Sequence, residues 1–158
     1  MHVFQLTRLY VIWQLVLRIA VGGYWLYFSY QKWFDRTWVK DMLAVAAQES
    51  YLPFYREFLQ TIALPNWGAL ALGVTIAEGA VGLMILLGFL TRIAAVAGSL
   101  MSLNLLLTFT LCTCRWTVAD LPFVFWFYFS SLILNIQLIF DQSSKTFGLQ
   151  KFMERGRT

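Results

Sequence analysis

Histidine, cysteine and charge are scarce in this sequence, and their scarcity excludes several classes of function. The only histidine is His2, so the chain has neither a pair of histidines to hold a haem nor a histidine-based metal site. It contains no P-loop, no G-x-G-x-x-G fingerprint and no C-x-x-C-H haem-attachment motif. We therefore expect no metal and no covalently bound cofactor, and any electrons must enter from another chain.

The charged fraction is 13%, whereas 59% of the residues are hydrophobic and 18% are aromatic. A soluble domain of this size does not need so much apolar surface, so the composition predicts an integral membrane protein of one domain, residues 1–158. The formal net charge of +4 lies in the loops and the C-terminal tail. This placement relates the charge to membrane topology, and we expect no nucleic-acid partner.

Four apolar runs are long enough to cross a bilayer as helices, and they lie at about residues 11–34, 67–88, 91–112 and 121–140. Residues 1–10 precede the first run as a short N-terminal segment, and residues 141–158 form a polar tail. Two segments between the first and second runs, at about residues 37–50 and 53–63, are amphipathic at helical period, and Pro53 is placed to begin the second. The sequence predicts an all-α fold, a bundle of four transmembrane helices with two short interfacial helices.

The second span carries a single acid, Glu78, at its midpoint. On helical spacing Glu78 shares a face with Thr75, Gly79 and Gly82. A carboxylate at bilayer depth is costly and should face protein or a wet cavity, and the glycines beside it let a neighbouring helix come close. Glu78 therefore needs a partner from another part of the chain.

The first span offers that partner on one helical face. The residues on this face recur at helical spacing and are Arg18, Gly22, Trp25, Ser29 and Lys32. The other two strongly polar residues of the span, Gln14 and Gln31, are predicted to lie on different faces. We expect Arg18 to pair with Glu78 in a dry interior between the first two spans. One interpretation is a buried ion pair that fixes helix register, and the other is a quinone, anion or proton site.

Other polar residues are candidates for secondary contacts. Lys32 ends the inward face of the first span. Arg92 is either an interface anchor or a ligand to a quinone head group, and Asn104 makes either an interhelical hydrogen bond or a substrate contact. The aromatic first half of the fourth span, Phe123 to Phe129, predicts a lipid-facing surface, with docking of a partner membrane protein as the alternative.

Two stretches carry a family resemblance, LPFYREFLQTIALPNW and AEGAVGLMILLGFLTRIAAVAGSLMSLNLLL. They closely resemble the DoxX/DoxD family, and within it DoxD, the small subunit of thiosulfate:quinone oxidoreductase. The resemblance runs from about Arg18 to about Leu107. It implies a four-helix membrane protein, often a subunit of a larger complex and linked in some members to the quinone pool. The positions that look like the family's motif residues are Arg18, Lys32, Glu78, Gly82, Gly88, Thr91, Arg92 and Asn104.

The two cysteines form one short motif, Cys112-Thr-Cys114, at the predicted outer end of the third span. A related four-helix family, that of the methylamine-utilisation protein MauE, carries a C-x-C-F-G motif at a comparable place. Here Arg115 and Trp116 stand where Phe-Gly would follow. A redox-active thiol pair in an oxidising compartment is one interpretation, and two small apolar residues at a helix end is the other.

Three functional hypotheses follow. The first is a DoxD-like accessory or anchoring subunit of a respiratory or photosynthetic electron-transfer complex, without a redox centre of its own. The second is the small subunit of a thiosulfate:quinone oxidoreductase, with a quinone pocket between the first three spans. The third is a MauE-like thiol-redox protein that uses Cys112 and Cys114. Expected partners are other membrane subunits and lipid, and quinone or lipid is the expected ligand.

Basic residues in the loops predict the orientation. The N-terminus, the 88–92 turn and the tail together carry six Lys/Arg against two Asp/Glu, whereas the opposite side carries five of each. The positive-inside rule then places both termini in the cytoplasm. We expect a multi-pass protein of the bacterial or archaeal cytoplasmic (inner) membrane.

Overall fold

The computed structural model describes residues 2–110 and 121–140, with side-chain environments for residues 9–108 and 125–140. All of the regular structure in these ranges is helical. In chain order the α-helices are α1 (His2–Phe34), α2 (Thr37–Glu49), α3 (Pro53–Phe58), α4 (Trp67–Leu87), α5 (Thr91–Thr110) and α6 (Leu121–Ile139). A π-helical turn at Leu59–Ala63 continues α3. Cys112, Cys114 and the tail 141–158 lie outside the described residues.

Three helical segments are long and apolar enough to cross a membrane, Leu9–Phe34 of α1, the whole of α4, and Thr91–Thr108 of α5. Helix α6 contains a shorter apolar segment, Phe125–Ile139. The chain is therefore a multi-pass membrane protein with an all-helical fold over the part that the structure describes. The exact four-span topology, and the place of α2 and α3 on the membrane surface, stay predictions.

Helix α1 is longer than the sequence analysis predicted. We expected residues 1–10 to precede the first span, but the helix begins at His2. Residues 2–10 contain no proline or glycine that would stop a helix, so the helical conformation extends through them into the first span.

Helices α1 and α4 are antiparallel, and their backbones come into contact at two glycines. A Cβ added to Gly22 would lie 2.6 Å from the Leu86 side chain and 3.0 Å from the Gly82 carbonyl oxygen. A Cβ added to Gly82 would lie 2.9 Å from the Gly22 carbonyl oxygen. Only glycine permits this contact of backbone with backbone, which confirms the expectation that the glycines of the second span admit a neighbouring helix.

The apolar core joins the four long helices. Its buried members are Leu17, Val21, Trp25, Val81, Ile85, Ala94, Ala95 and Leu138. The opposite faces carry exposed large apolar side chains, among them Ile76, Leu83 and Leu87 on α4. None of these three shares the Glu78 face of α4 at helical spacing, so in a bilayer they face lipid or another membrane protein.

The connection between α1 and α4 has a small core of its own, formed by Ala46, Ala47, Leu59 and Ala63. Its first helix begins where the Asp35 carboxylate accepts hydrogen bonds from the Thr37 hydroxyl (2.6 Å) and the Thr37 backbone N–H (2.8 Å). These two bonds hold the pKa of the exposed Asp35 carboxyl below its ordinary value, and the bond from the hydroxyl has the larger effect. Pro53 occupies the first turn of α3, as predicted.

Candidate functional site

A lysine and a glutamate form a buried ion pair between α1 and α4. The Lys32 ammonium donates to both carboxylate oxygens of Glu78, each at 2.6 Å. The two side chains are 6% and 1% exposed. Nearby, the Ser29 hydroxyl donates to the Thr75 carbonyl at 2.8 Å and so ties the same two helices one turn away.

The predicted partner of Glu78 was therefore wrong, because the carboxylate pairs with Lys32 and not with Arg18. In an α-helix each side chain leans toward the N-terminus of its own helix. Since α1 and α4 are antiparallel, Lys32 and Glu78 lean toward each other. Arg18 leans toward the N-terminus of α1 as well, but it already lies beside the C-terminal end of α4, so this lean takes it away from Glu78 and toward different groups.

Arg18 caps the C-terminal end of α4. Its Nε donates to the Ile85 carbonyl at 3.1 Å and its Nη2 donates to the Leu86 carbonyl at 3.2 Å, while the side chain is 1% exposed. Carbonyls in the last turn lack intrahelical partners and sit at the negative end of the helix dipole, so a cation there is stabilising. Gly88 completes the cap with φ 65°, a left-handed conformation that favours glycine.

A second set of buried polar side chains joins α1, α5 and α6. The Trp25 indole N–H donates to Asn135 Oδ1 at 3.2 Å, and Asn135 Nδ2 donates to the Ser131 carbonyl at 2.8 Å. The Ser131 and Ser102 hydroxyls are bonded at 2.9 Å. Gly98 lies against this set, since a Cβ there would overlap the Asn135 amide oxygen. The sequence placed Trp25 inward but assigned no role to Asn135.

Two buried oxygens at the Arg18 end of the bundle have no hydrogen-bond partner among the described residues, Gln14 Oε1 and Thr91 Oγ1. Both side chains are buried, at 2% and 1% exposure. The predicted place of Gln14 on another face was wrong, because Gln14 precedes Arg18 by four residues and therefore shares its face.

A cavity of about 350 Å³ opens between α1 and α6. Tyr24 lies on its α1 wall, and Trp126, Phe127, Ser130 and Ser131 lie on its α6 wall. This volume is in the range of small-molecule sites, about 300–1,000 Å³. We expected a pocket between the first three spans, whereas this cavity has the fourth predicted span as one wall.

The remaining candidates do not converge on Glu78. Arg92 is exposed, and its role as an interface anchor or a quinone ligand stays a prediction. The Tyr55 hydroxyl of α3 donates to Asn104 Oδ1 at 3.2 Å and lies 2.6 Å from Thr108 Oγ1, so Asn104 makes an interhelical hydrogen bond. No group of three or more His, Cys, Asp or Glu side chains suited to a metal occurs in residues 9–108 and 125–140, the ranges with described side chains.

The DoxX family profile matches residues 13–111, which is more than half of the chain. The chain belongs to the DoxX family. The comparison with curated proteins gave no match, and neither did the comparison with solved structures.

The DoxX match covers the residues of the ion pair and of the Arg18 cap. It ends before α6, so Asn135 and the α6 wall of the cavity lie beyond the matched region. Membership therefore applies to the part of the chain that carries the intramembrane charges. Within the DoxX family, the finer resemblance to DoxD stays a prediction.

Proposed function

We propose that this DoxX-family protein is an accessory or anchoring subunit of a membrane electron-transfer complex, without a redox centre of its own. The proposal rests on the buried ion pair of Glu78, the acid at the midpoint of the second predicted span. Both oxygens of Glu78 are bonded to Lys32, and both side chains are buried. A buried pair of this kind stabilises one arrangement of helices, which is the task of a subunit that holds others in place.

The polar contacts elsewhere in the bundle support the same role. Arg18 is bonded to the end of α4, and Trp25 is bonded to Asn135 of α6. Each contact joins helices that are distant in sequence. The aromatic residues of α6 leave a broad apolar surface, with Trp126 60% exposed, on which another membrane subunit or lipid can pack.

A second candidate function is the small subunit of a thiosulfate:quinone oxidoreductase, and the cavity between α1 and α6 favours it. Tyr24 and Ser130 lie near the middle of their helices, which supports a place for the cavity at bilayer depth if α6 spans the membrane as predicted. Its aromatic rings suit the flat head group of a quinone, and its serine hydroxyls can donate to a quinone carbonyl. Quinone, or a lipid in its place, is thus the proposed ligand.

The thiol-redox hypothesis rests on Cys112 and Cys114, which lie outside the described residues. It stays a prediction. A double Cys112→Ser/Cys114→Ser variant should assemble and function like the wild type under the proposed role. Loss of activity with assembly intact would favour the thiol-redox function.

The experiment that tests the proposal is purification from native membranes in mild detergent, followed by identification of the co-purifying chains and extracted quinones. We expect subunits that carry flavin, haem or iron–sulfur centres. Quinone-dependent electron transfer in the membranes should be lost when this chain is deleted and restored when it is supplied again. A sulfur-enzyme large subunit would favour the second candidate. Unchanged electron transfer after deletion would contradict both.

Glu78→Gln separates the anchoring role from a catalytic role for the acid. If Glu78 only holds the helices, the variant reduces the amount of assembled complex, and the activity per assembled complex is unchanged. A fully assembled complex without turnover would instead place Glu78 in a quinone or proton site. Glu57→Gln, which changes an exposed glutamate of α3, is the matched control.

A further inference from the structure

The ammonium group of Lys32 is enclosed by more than its carboxylate partner. Its Nζ lies 5.5 Å from the centre of the Phe28 ring and 5.3 Å from the centre of the Trp38 ring. Both distances are within the range of a cation–π interaction, about 6 Å. A carboxylate combined with aromatic faces is the set of groups that recognises alkylammonium ions in proteins.

The enclosing groups come from three different helices. Phe28 belongs to α1, Glu78 to α4, and Trp38 is the second residue of α2. Lys32 itself is 5% exposed, so the assembled site is closed. Since Trp38 belongs to the first turn of α2, that turn supplies one wall of the site around the ammonium.

We infer that Glu78, Phe28 and Trp38 form an intramembrane binding site for a primary alkylammonium group, and that the protein's own Lys32 occupies it. Lys32 is then a tethered ligand, and removal of its side chain leaves a site of the same shape and charge for a free amine. This inference goes beyond the proposed function, because it requires no partner subunit and no electron transfer.

The test uses the full-length Lys32→Ala variant in detergent. This substitution removes three methylene groups and the ammonium, which together equal n-propylammonium. We expect Lys32→Ala to melt at a lower temperature than the wild type, and n-propylammonium to raise its Tm in a saturable manner, because a ligand that binds only the folded state stabilises it. Neither 1-propanol, which lacks the charge, nor tetramethylammonium, which lacks N–H donors, should match this effect at equal concentration.

Three further variants locate the effect. Lys40→Ala is the control, because Lys40 is an exposed lysine near the Trp67 ring, and n-propylammonium should not shift its Tm. Addition of Glu78→Gln to Lys32→Ala should abolish the rescue. Addition of Trp38→Ala should weaken the apparent affinity by about fivefold, which corresponds to one cation–π contact. Equal shifts in Lys32→Ala and Lys40→Ala, or a rescue that survives Glu78→Gln, would overturn the inference.

A cross-linking experiment keeps the inference testable if Lys32→Ala does not accumulate. A water-soluble carbodiimide activates the Glu78 carboxyl, the Lys32 amine attacks it, and an amide forms while the carbodiimide takes up the elements of water as a urea. We expect this cross-link to form faster in Trp38→Ala than in the wild type, because the wall that the Trp38 ring supplies is removed. Trp33→Ala, which changes a tryptophan that is 54% exposed at the same end of α1, should leave the rate unchanged. Equal rates in all three proteins would show that Trp38 does not close the site.

Discussion

Loss of one member of the Lys32–Glu78 pair should be among the most damaging substitutions in the bundle. The Lys32 ammonium is 2.6 Å from each Glu78 oxygen, and the side chains are 6% and 1% exposed. Removal of one charge leaves the other buried without compensation, at a cost of about 3–5 kcal/mol in the free energy of unfolding. A loss of this size lowers the folding equilibrium constant by about a hundredfold to several thousandfold, since about 1.4 kcal/mol corresponds to a factor of ten.

A double-mutant cycle measures the pair itself. Glu78→Gln keeps the side-chain length, Lys32→Met shortens the side chain by one heavy atom, and each removes the charge, so the double variant has no uncompensated charge. We expect the double variant to lose much less than the sum of the two single losses, with a coupling of about 2 kcal/mol or more. The assay is reversible unfolding of the purified protein in mixed detergent, followed by helical circular dichroism.

A second cycle with Arg18→Gln and Glu78→Gln is the control. Arg18 is bonded to carbonyls seven and eight residues beyond Glu78, which is about 10 Å along the helix. Sites this far apart are usually additive to within about 0.5 kcal/mol. Additive losses for Lys32 and Glu78, with coupling for Arg18 and Glu78, would refute the pairing.

Three further predictions concern packing, the second polar set and topology. Gly22→Ala should destabilise the bundle by about 1–3 kcal/mol because its Cβ would meet Leu86 and the Gly82 backbone, whereas Gly23→Ala, with nothing within 4 Å, should not lower the Tm. Asn135→Ala should cost about 1–3 kcal/mol in the same unfolding assay, since the buried Trp25 N–H loses its acceptor, and a loss no larger than that of Gln31→Ala on the exposed surface would contradict this. With Cys112 and Cys114 replaced by serine, a cysteine at the exposed Gln48 should react with an impermeant thiol reagent from outside and one at Ser144 should not. The reverse labelling pattern would overturn the predicted orientation.

The inward faces of the long helices were predictable because helical spacing alone determines which residues share a face. Trp25, Ser29 and Lys32 are buried as predicted, and so are Thr75 and Glu78 on α4. Helical spacing does not show which residue of the neighbouring helix a side chain contacts along the helix axis. The lean of side chains toward the helix N-terminus contains that information, and it would have favoured Lys32 over Arg18 as the partner of Glu78.

Contacts between helices distant in sequence were not predictable from one chain. Trp25 and Asn135 are 110 residues apart, and a pattern within either helix cannot show that they meet. The cavity beside Tyr24 depends on the shapes of α1 and α6 once they are packed, which hydropathy does not encode. Gln14 is a different case, because its spacing of four residues from Arg18 was visible in the sequence.

Solid-state nuclear magnetic resonance in lipid bilayers tests the central claim, the Lys32–Glu78 pair, most directly. The chain has only four lysines and four glutamates, so protein labelled with ¹⁵N in the lysine side chains and ¹³C in the glutamate carboxyls gives few signals. We predict one strong dipolar coupling between a lysine Nζ and a glutamate carboxyl carbon, which disappears in Glu78→Gln and is retained in Glu57→Gln. A wild-type spectrum without that coupling, or a coupling that persists in Glu78→Gln, would contradict the claim that Lys32 and Glu78 are bonded inside the membrane.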